Sequence, residues 1–118
     1  MTPPRAALRS LAIGRCVTAA GLLLWPDRAV RTFAAGRHAP STGVVRLLGA
    51  RLLVQGAIQF TRPDRRIAIE GAAVDSVHAA SMIAAAALLP AYRRIAAVSA
   101  GEAALSAVAG YAIVRRLR

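Results

Sequence analysis

The chain contains no lysine and no asparagine, one cysteine, and five acidic residues among 118. Aromatic residues make up only 4%. Each shortage excludes something. A lone Cys16 cannot build a disulfide framework, a zinc ribbon or a dithiol relay. So few rings leave no row on which nucleic-acid bases would stack. The nine glycines never form G-x-x-x-x-G-K or G-x-G-x-x-G, so there is no phosphate loop. Nucleophile-elbow and zincin motifs are also missing. No uncharged run reaches 18 residues, so no segment is an uninterrupted membrane span.

What is present is apolar and basic. Hydrophobic residues make up 57% of the chain, and the mean hydropathy is +0.50. That excludes disorder, because disordered chains lack apolar residues. All sixteen basic residues are arginine, and alanine fills 29 positions. Codons for Ala, Arg, Gly and Pro are rich in G and C, so a GC-rich, bacterial genome accounts for part of the arginine excess. The net charge of +11 raises nucleic acid as a partner. The arginines, however, cluster between long apolar segments: Arg5/Arg9, Arg28/Arg31/Arg37, Arg62/Arg65/Arg66, Arg93/Arg94 and Arg115/Arg116/Arg118. That is the pattern of loops flanking membrane spans, and nucleic acid is not expected as a partner.

Four apolar segments lie at about 10–26, 43–61, 68–90 and 93–114. Each is near the ~20 residues that cross a ~30 Å hydrocarbon core. Arg15, Arg46, Arg51, Glu70, Asp75 and Glu102 interrupt them. The interruptions fall at helical spacing: Arg15/Thr18, Arg51/Gln55/Gln59, Asp75/His78/Ser81 and Ser99/Glu102/Ser106. On a helix each set forms one narrow polar stripe. A helix of a water-soluble protein shows the reverse, a narrow apolar stripe on a polar cylinder.

The breaks agree. Trp25-Pro26-Asp27-Arg28 ends the first segment with an interfacial Trp and a helix stop. Arg62-Pro63-Asp64 ends the second. Pro90-Ala91-Tyr92 is a short turn that makes the last two segments antiparallel neighbours. The stretch 27–42, with Gly36, His38 and Pro40, reads as the one long loop. A signal peptide is the rival for the first segment, but Arg15 sits inside it and Trp25-Pro26-Asp27 is a poor cleavage site. An arginine-rich mitochondrial presequence is a second rival.

The expected fold is therefore an all-α integral membrane four-helix bundle of antiparallel spans, forming a single domain over 1–118. Eight arginines would lie on the side of the termini and five or six on the other, which places both termini in the cytoplasm of a bacterial inner-membrane protein.

A charge at mid-bilayer is expensive, ~2.5–3.5 kcal/mol on insertion scales. Arg15 and Arg51 are therefore expected to face Asp75 and Glu102 inside the bundle, with His78 and Gln55 completing the hydrogen bonds. Such pairs either register the helices or line a polar site. Asp75-x-x-His78 places an acid and an imidazole on one face. No second histidine falls in a span, so neither a metal nor another cofactor is expected. His78 is expected to donate to Asp75 or to a backbone carbonyl. Cys16 reads as a small buried hydrophobe. Ala72, Ser76, Ala80 and Ala84, the pair Ala100/Ala104 and the pair Ser106/Gly110 recur every four residues. They offer small-residue faces for close helix approach, within the chain or toward a second copy or partner.

Three stretches carry a family resemblance: Leu11-x-x-Gly14-Arg15, the run Arg46 to Gly56 (RLLGARLLVQG), and the run Val74 to Met82 (VDSVHAASM). The chain resembles small four-helix membrane proteins of actinobacteria, broadly DoxX-like in layout, over roughly 8–114. The resemblance implies a four-helix membrane bundle and little about activity. DoxX proteins proper are linked to quinone-related redox enzymes. The function expected from the whole reading is a non-enzymatic accessory or scaffold subunit of a membrane assembly, or a homo-oligomer. The alternative is a bundle whose internal polar site binds quinone, lipid or protons.

Overall fold

The structure, a computed structural model, describes residues 2–34 and 41–117. It is all-helical, with no strand among the described residues. The helices are α1 (Pro3–Leu24), α2 (Pro26–Ala34), α3 (Thr42–Thr61), α4 (Arg65–Leu88) and α5 (Arg93–Val114). A 3₁₀ turn, Pro90–Tyr92, joins α4 to α5.

Local chemistry sets the boundaries. Pro3 and Pro4 open α1, where a missing N–H costs nothing. This starts the helix well before the expected position 10. The Ser41 side chain accepts from the Val44 N–H to cap α3, and Asp64 accepts from the Ile67 N–H to cap α4. The terminal carbonyls of α4 gain a donor from outside the helix, because Arg93 Nε reaches the Ala86 carbonyl at 2.9 Å.

The stretch read as a loop over 27–42 is in part a helix, α2. Pro26 pre-sets its first turn and Asp27 sits at its positive end. Pro26 and Ala34 are buried and Ala29 and Val30 half-buried, while Arg28, Arg31 and Thr32 are exposed. Nine residues show the helical period too briefly for it to stand out beside Gly36 and Pro40. Those two residues, with Arg37 and His38, lie outside the described residues.

Each long helix buries residues at alternating spacings of four and three. On α1 these are Leu8, Ala12, Arg15 and Ala19; on α3, Val45, Gly49, Leu52, Gly56 and Gln59. On α4 they are Ala68, Ala72, Asp75 and Ala79, with Gly71 buried beside this row; on α5, Ala96, Ala100, Ala103, Ala107, Gly110 and Val114. A 3.5-residue period is the seam of left-handed, near-parallel helix packing. The straight four-residue rows expected on α4 and α5 drift around the helix and leave the seam, so Ala80, Ala84 and Ala104 are exposed.

Two antiparallel hairpins result. α1 packs on α3, and α4 on α5; between the hairpins, α1 with α5 and α3 with α4 touch only lightly. Glycine permits the closest approaches. A Cβ on Gly56 would lie 2.7 Å from Cys16 Sγ and 3.0 Å from the Ala12 carbonyl oxygen. One on Gly110 would lie 3.1 Å from Ala72 Cβ. At the end carrying the chain termini, Leu8, Ala68, Val114 and Leu117 close the interior. Arg9 ties α1 to α3 there, donating to the Phe60 carbonyl and lying 5.4 Å from its ring.

Size is distributed inside out. Most buried apolar residues are alanines, whereas Val17, Leu47, Val77, Leu88, Leu105 and Val108 are each more than 65% exposed. Three helices are long and apolar enough to cross a membrane: Pro3–Leu24, Arg65–Leu88 and Pro90–Val114. α3 falls outside that group, because Arg46, Arg51, Gln55 and Gln59 lower its hydropathy.

Candidate functional site

The seams carry three buried polar side chains, and each faces the middle of the bundle. Arg15 is 5% exposed, and Gln59 and Asp75 are 2% exposed. Arg15 and Asp75 stand on α1 and α4, which are diagonal to one another. Both terminal nitrogens of Arg15 donate to the two carboxylate oxygens of Asp75. This bidentate geometry fixes orientation as well as charge. Gln55 of α3 joins them: its Nε2 donates to the Gly71 carbonyl at 3.3 Å and to Asp75 Oδ1 at 3.5 Å. Gly71 makes room for this, because a Cβ there would press on the amides of Gln55 and Gln59.

His78 takes a different partner from the one expected. Its Nε2 lies 2.9 Å from the Ser99 hydroxyl on α5, not against Asp75 or a carbonyl. Three residues along α4 rotate the imidazole away from the diagonal and toward α5. Arg51 and Glu102 also differ from the expectation: among the described residues neither forms an ion pair. Arg51 is half-buried, Glu102 is exposed, and both line one small cavity with Arg15, Asp75, His78 and Ser99. Its volume is about 20 Å³, room for one water among polar walls. The second ion pair, Arg66–Glu70, is local to the start of α4 and well exposed. Thr18 and Ser81 extend the expected stripes but are exposed.

Two larger openings reach this centre. A groove of about 780 Å³ runs between the splayed α3 and α4, from Val44 and Leu47 at one end to Gln59 and Ile67 at the other. A cleft of about 340 Å³ lies near Leu22, Val30 and Tyr92 and ends on His78, Ser99 and Glu102. Sequence reasoning missed the groove, because nothing in either helix alone says that its neighbour stands away. Its only sequence signal is the Arg51/Gln55/Gln59 row, which marks a polar strip longer than one ion pair needs.

Chemically, the centre holds two cations, two carboxylates, an imidazole and two amides, with a formal charge sum of zero. The Ser99 hydroxyl is paired with the His78 imidazole. No three His, Cys, Asp or Glu side chains gather to hold a metal among the described residues. Cys16 is half-buried against Gly56. No family model matches this chain, and no curated protein or solved structure is similar to it.

Proposed function

We propose that this chain is a multi-pass protein of the bacterial plasma membrane, a non-enzymatic accessory or scaffold component that works in an assembly or as a homo-oligomer. The observation that carries the reading is the inverted distribution of size and charge. Alanine, Arg15, Gln59 and Asp75 lie inside, and large aliphatic side chains lie outside. In water such a surface would be a severe aggregation hazard. In hydrocarbon it is solvated, and the charges turn inward as intramembrane charges do.

α3 is the fourth pass on this reading. Its Arg51, Gln55 and Gln59 face the interior or the α3–α4 groove, and Arg46 sits one turn from its capped start. The amphipathic α2 lies at the interface on the opposite side from the termini. The arginine excess at the termini and the α3–α4 turn favours a cytoplasmic position for that end. Exposed Ala80, Ala84 and Ala104 leave small-residue faces for contact with a second copy or a partner.

Two experiments test this. The protein should remain in the pellet after alkaline carbonate extraction; release into the supernatant overturns membrane insertion. Mild-detergent purification with mass spectrometry should yield a stoichiometric partner or a defined oligomer; a lone monomer overturns the accessory role.

A second reading is a bundle that binds an amphiphile at its polar centre. The groove between α3 and α4 favours it, because three unpartnered polar atoms belong to residues that line it.

A further inference from the structure

We propose that the α3–α4 groove binds a single-chain amphiphile whose neutral head carries hydroxyl groups beside an ester or ketone carbonyl. The proposal rests on the second reading above and specifies its ligand.

The groove is built for an amphiphile. Its walls are apolar and exposed: Val44, Leu47, Val54 and Ile58 on α3, Val74 on α4. Its volume of about 780 Å³ falls within the ~300–1,000 Å³ of small-molecule sites. Along one edge run Arg51, Gln55 and Gln59, each four residues from the next, so the polar row extends ~12 Å along α3.

These side chains are short of partners. Arg51 Nε, Gln55 Oε1 and Gln59 Oε1 are buried and make no hydrogen bond. Gln59 is 2% exposed, and it lines the groove. A buried amide without a partner is costly, and most native polar groups avoid that state. Gln55 has its Nε2 engaged with Gly71 and Asp75, which fixes Oε1 as the free end.

The unmet groups define the head. Two amide oxygens require donors, and a guanidinium N–H requires an acceptor. A bare carboxylate would satisfy Arg51 but would set its charge against the two amide oxygens. An alkane would satisfy nothing. The carboxylate of Glu70 also lines the groove, so an anionic head would meet a like charge there. A head with hydroxyls opposite Gln55 and Gln59 and a carbonyl opposite Arg51 fills all three. Its chain then runs past Leu48 toward Leu47 and Val44.

Monooleoylglycerol has this chemistry and serves as the probe. Oleate and hexadecane share its chain and lack its head. Binding of radiolabelled probe is measured on the full chain in nanodiscs. Monooleoylglycerol should compete at least tenfold better than oleate or hexadecane. Gln59→Leu keeps the volume and removes the acceptor, and should weaken binding at least tenfold. Val54→Trp blocks the groove from its exposed wall and should abolish binding without altering the melting temperature. Equal competition by oleate or hexadecane overturns the proposal, as does undiminished binding by a folded Val54→Trp protein. Absence of binding by a protein that resists carbonate extraction overturns the ligand and leaves membrane insertion intact. Carbonate release overturns the membrane reading itself.

Discussion

Arg15 and Asp75 are 60 residues apart in the chain and meet in a two-pronged ion pair at the centre of the bundle. No other ion pair joins the two hairpins among the described residues. Removing one member strands the other in the interior. Asp75→Asn or Arg15→Met should each destabilise the protein by ~3–5 kcal/mol, the range for breaking a buried pair. The double change Arg15→Met with Asp75→Leu should recover most of that loss. Thermal unfolding in detergent measures it. A double variant as unstable as the two singles combined would show that the pair is not coupled.

The glycines divide into two groups. Gly56→Ala and Gly110→Ala drive a methyl against α1 and α4 respectively, and each should cost ~1–3 kcal/mol. Gly14 and Gly101 meet nothing within 4 Å. Gly14→Ala and Gly101→Ala should instead be neutral, or stabilising by up to ~1 kcal/mol from helix propensity. The same melting assay ranks all four, and equal effects would contradict the packing described for α3 and α5.

Leu105 is 74% exposed. On a water-facing surface, Leu105→Arg would be harmless. Facing lipid near the middle of α5, it should oppose insertion by ~2.5–3.5 kcal/mol. A glycosylation-based insertion assay on the α4–α5 hairpin reads the difference, and unchanged insertion would argue against lipid at this face.

His78 and Ser99 form a lesser link between α4 and α5. Ser99→Ala should cost ~1 kcal/mol, as for one ordinary hydrogen bond. His78→Leu combined with Ser99→Ala should be milder than the sum of the single changes. A double-mutant cycle on melting temperature checks this, with strict additivity as the contrary result.

Much of this architecture is legible in the chain. The proline-marked breaks place three of the helix ends, and α3 and α5 coincide with the segments 43–61 and 93–114 to within a residue. Opposite charges at mid-helix anticipate an interior pair, because an isolated charge there is so costly. Which arginine meets which acid is not legible. Arg15 and Arg51 look alike in sequence, and only the seam positions of α1 and α3 separate them: Arg15 is on the seam and Arg51 beside it. The seam itself is hidden, because alanine at 29 positions appears on every face and masks the 3.5-residue period. The helical part of 27–42 is too short to declare itself. The splay of α3 from α4 is a tertiary fact with no local signature.

The weak contact between α3 and α4 has a bearing on assembly. Each hairpin packs along its own alanine and glycine seam, using residues of one half of the chain, so each can form before the two halves meet. The Arg15–Asp75 clasp joins the first hairpin to the second, and it cannot close until both are in place. Until then two opposite charges wait unpaired in different halves of the molecule. The ion pair therefore joins the two halves only when both are present: in a chain interrupted after α3, Arg15 has no Asp75 to meet.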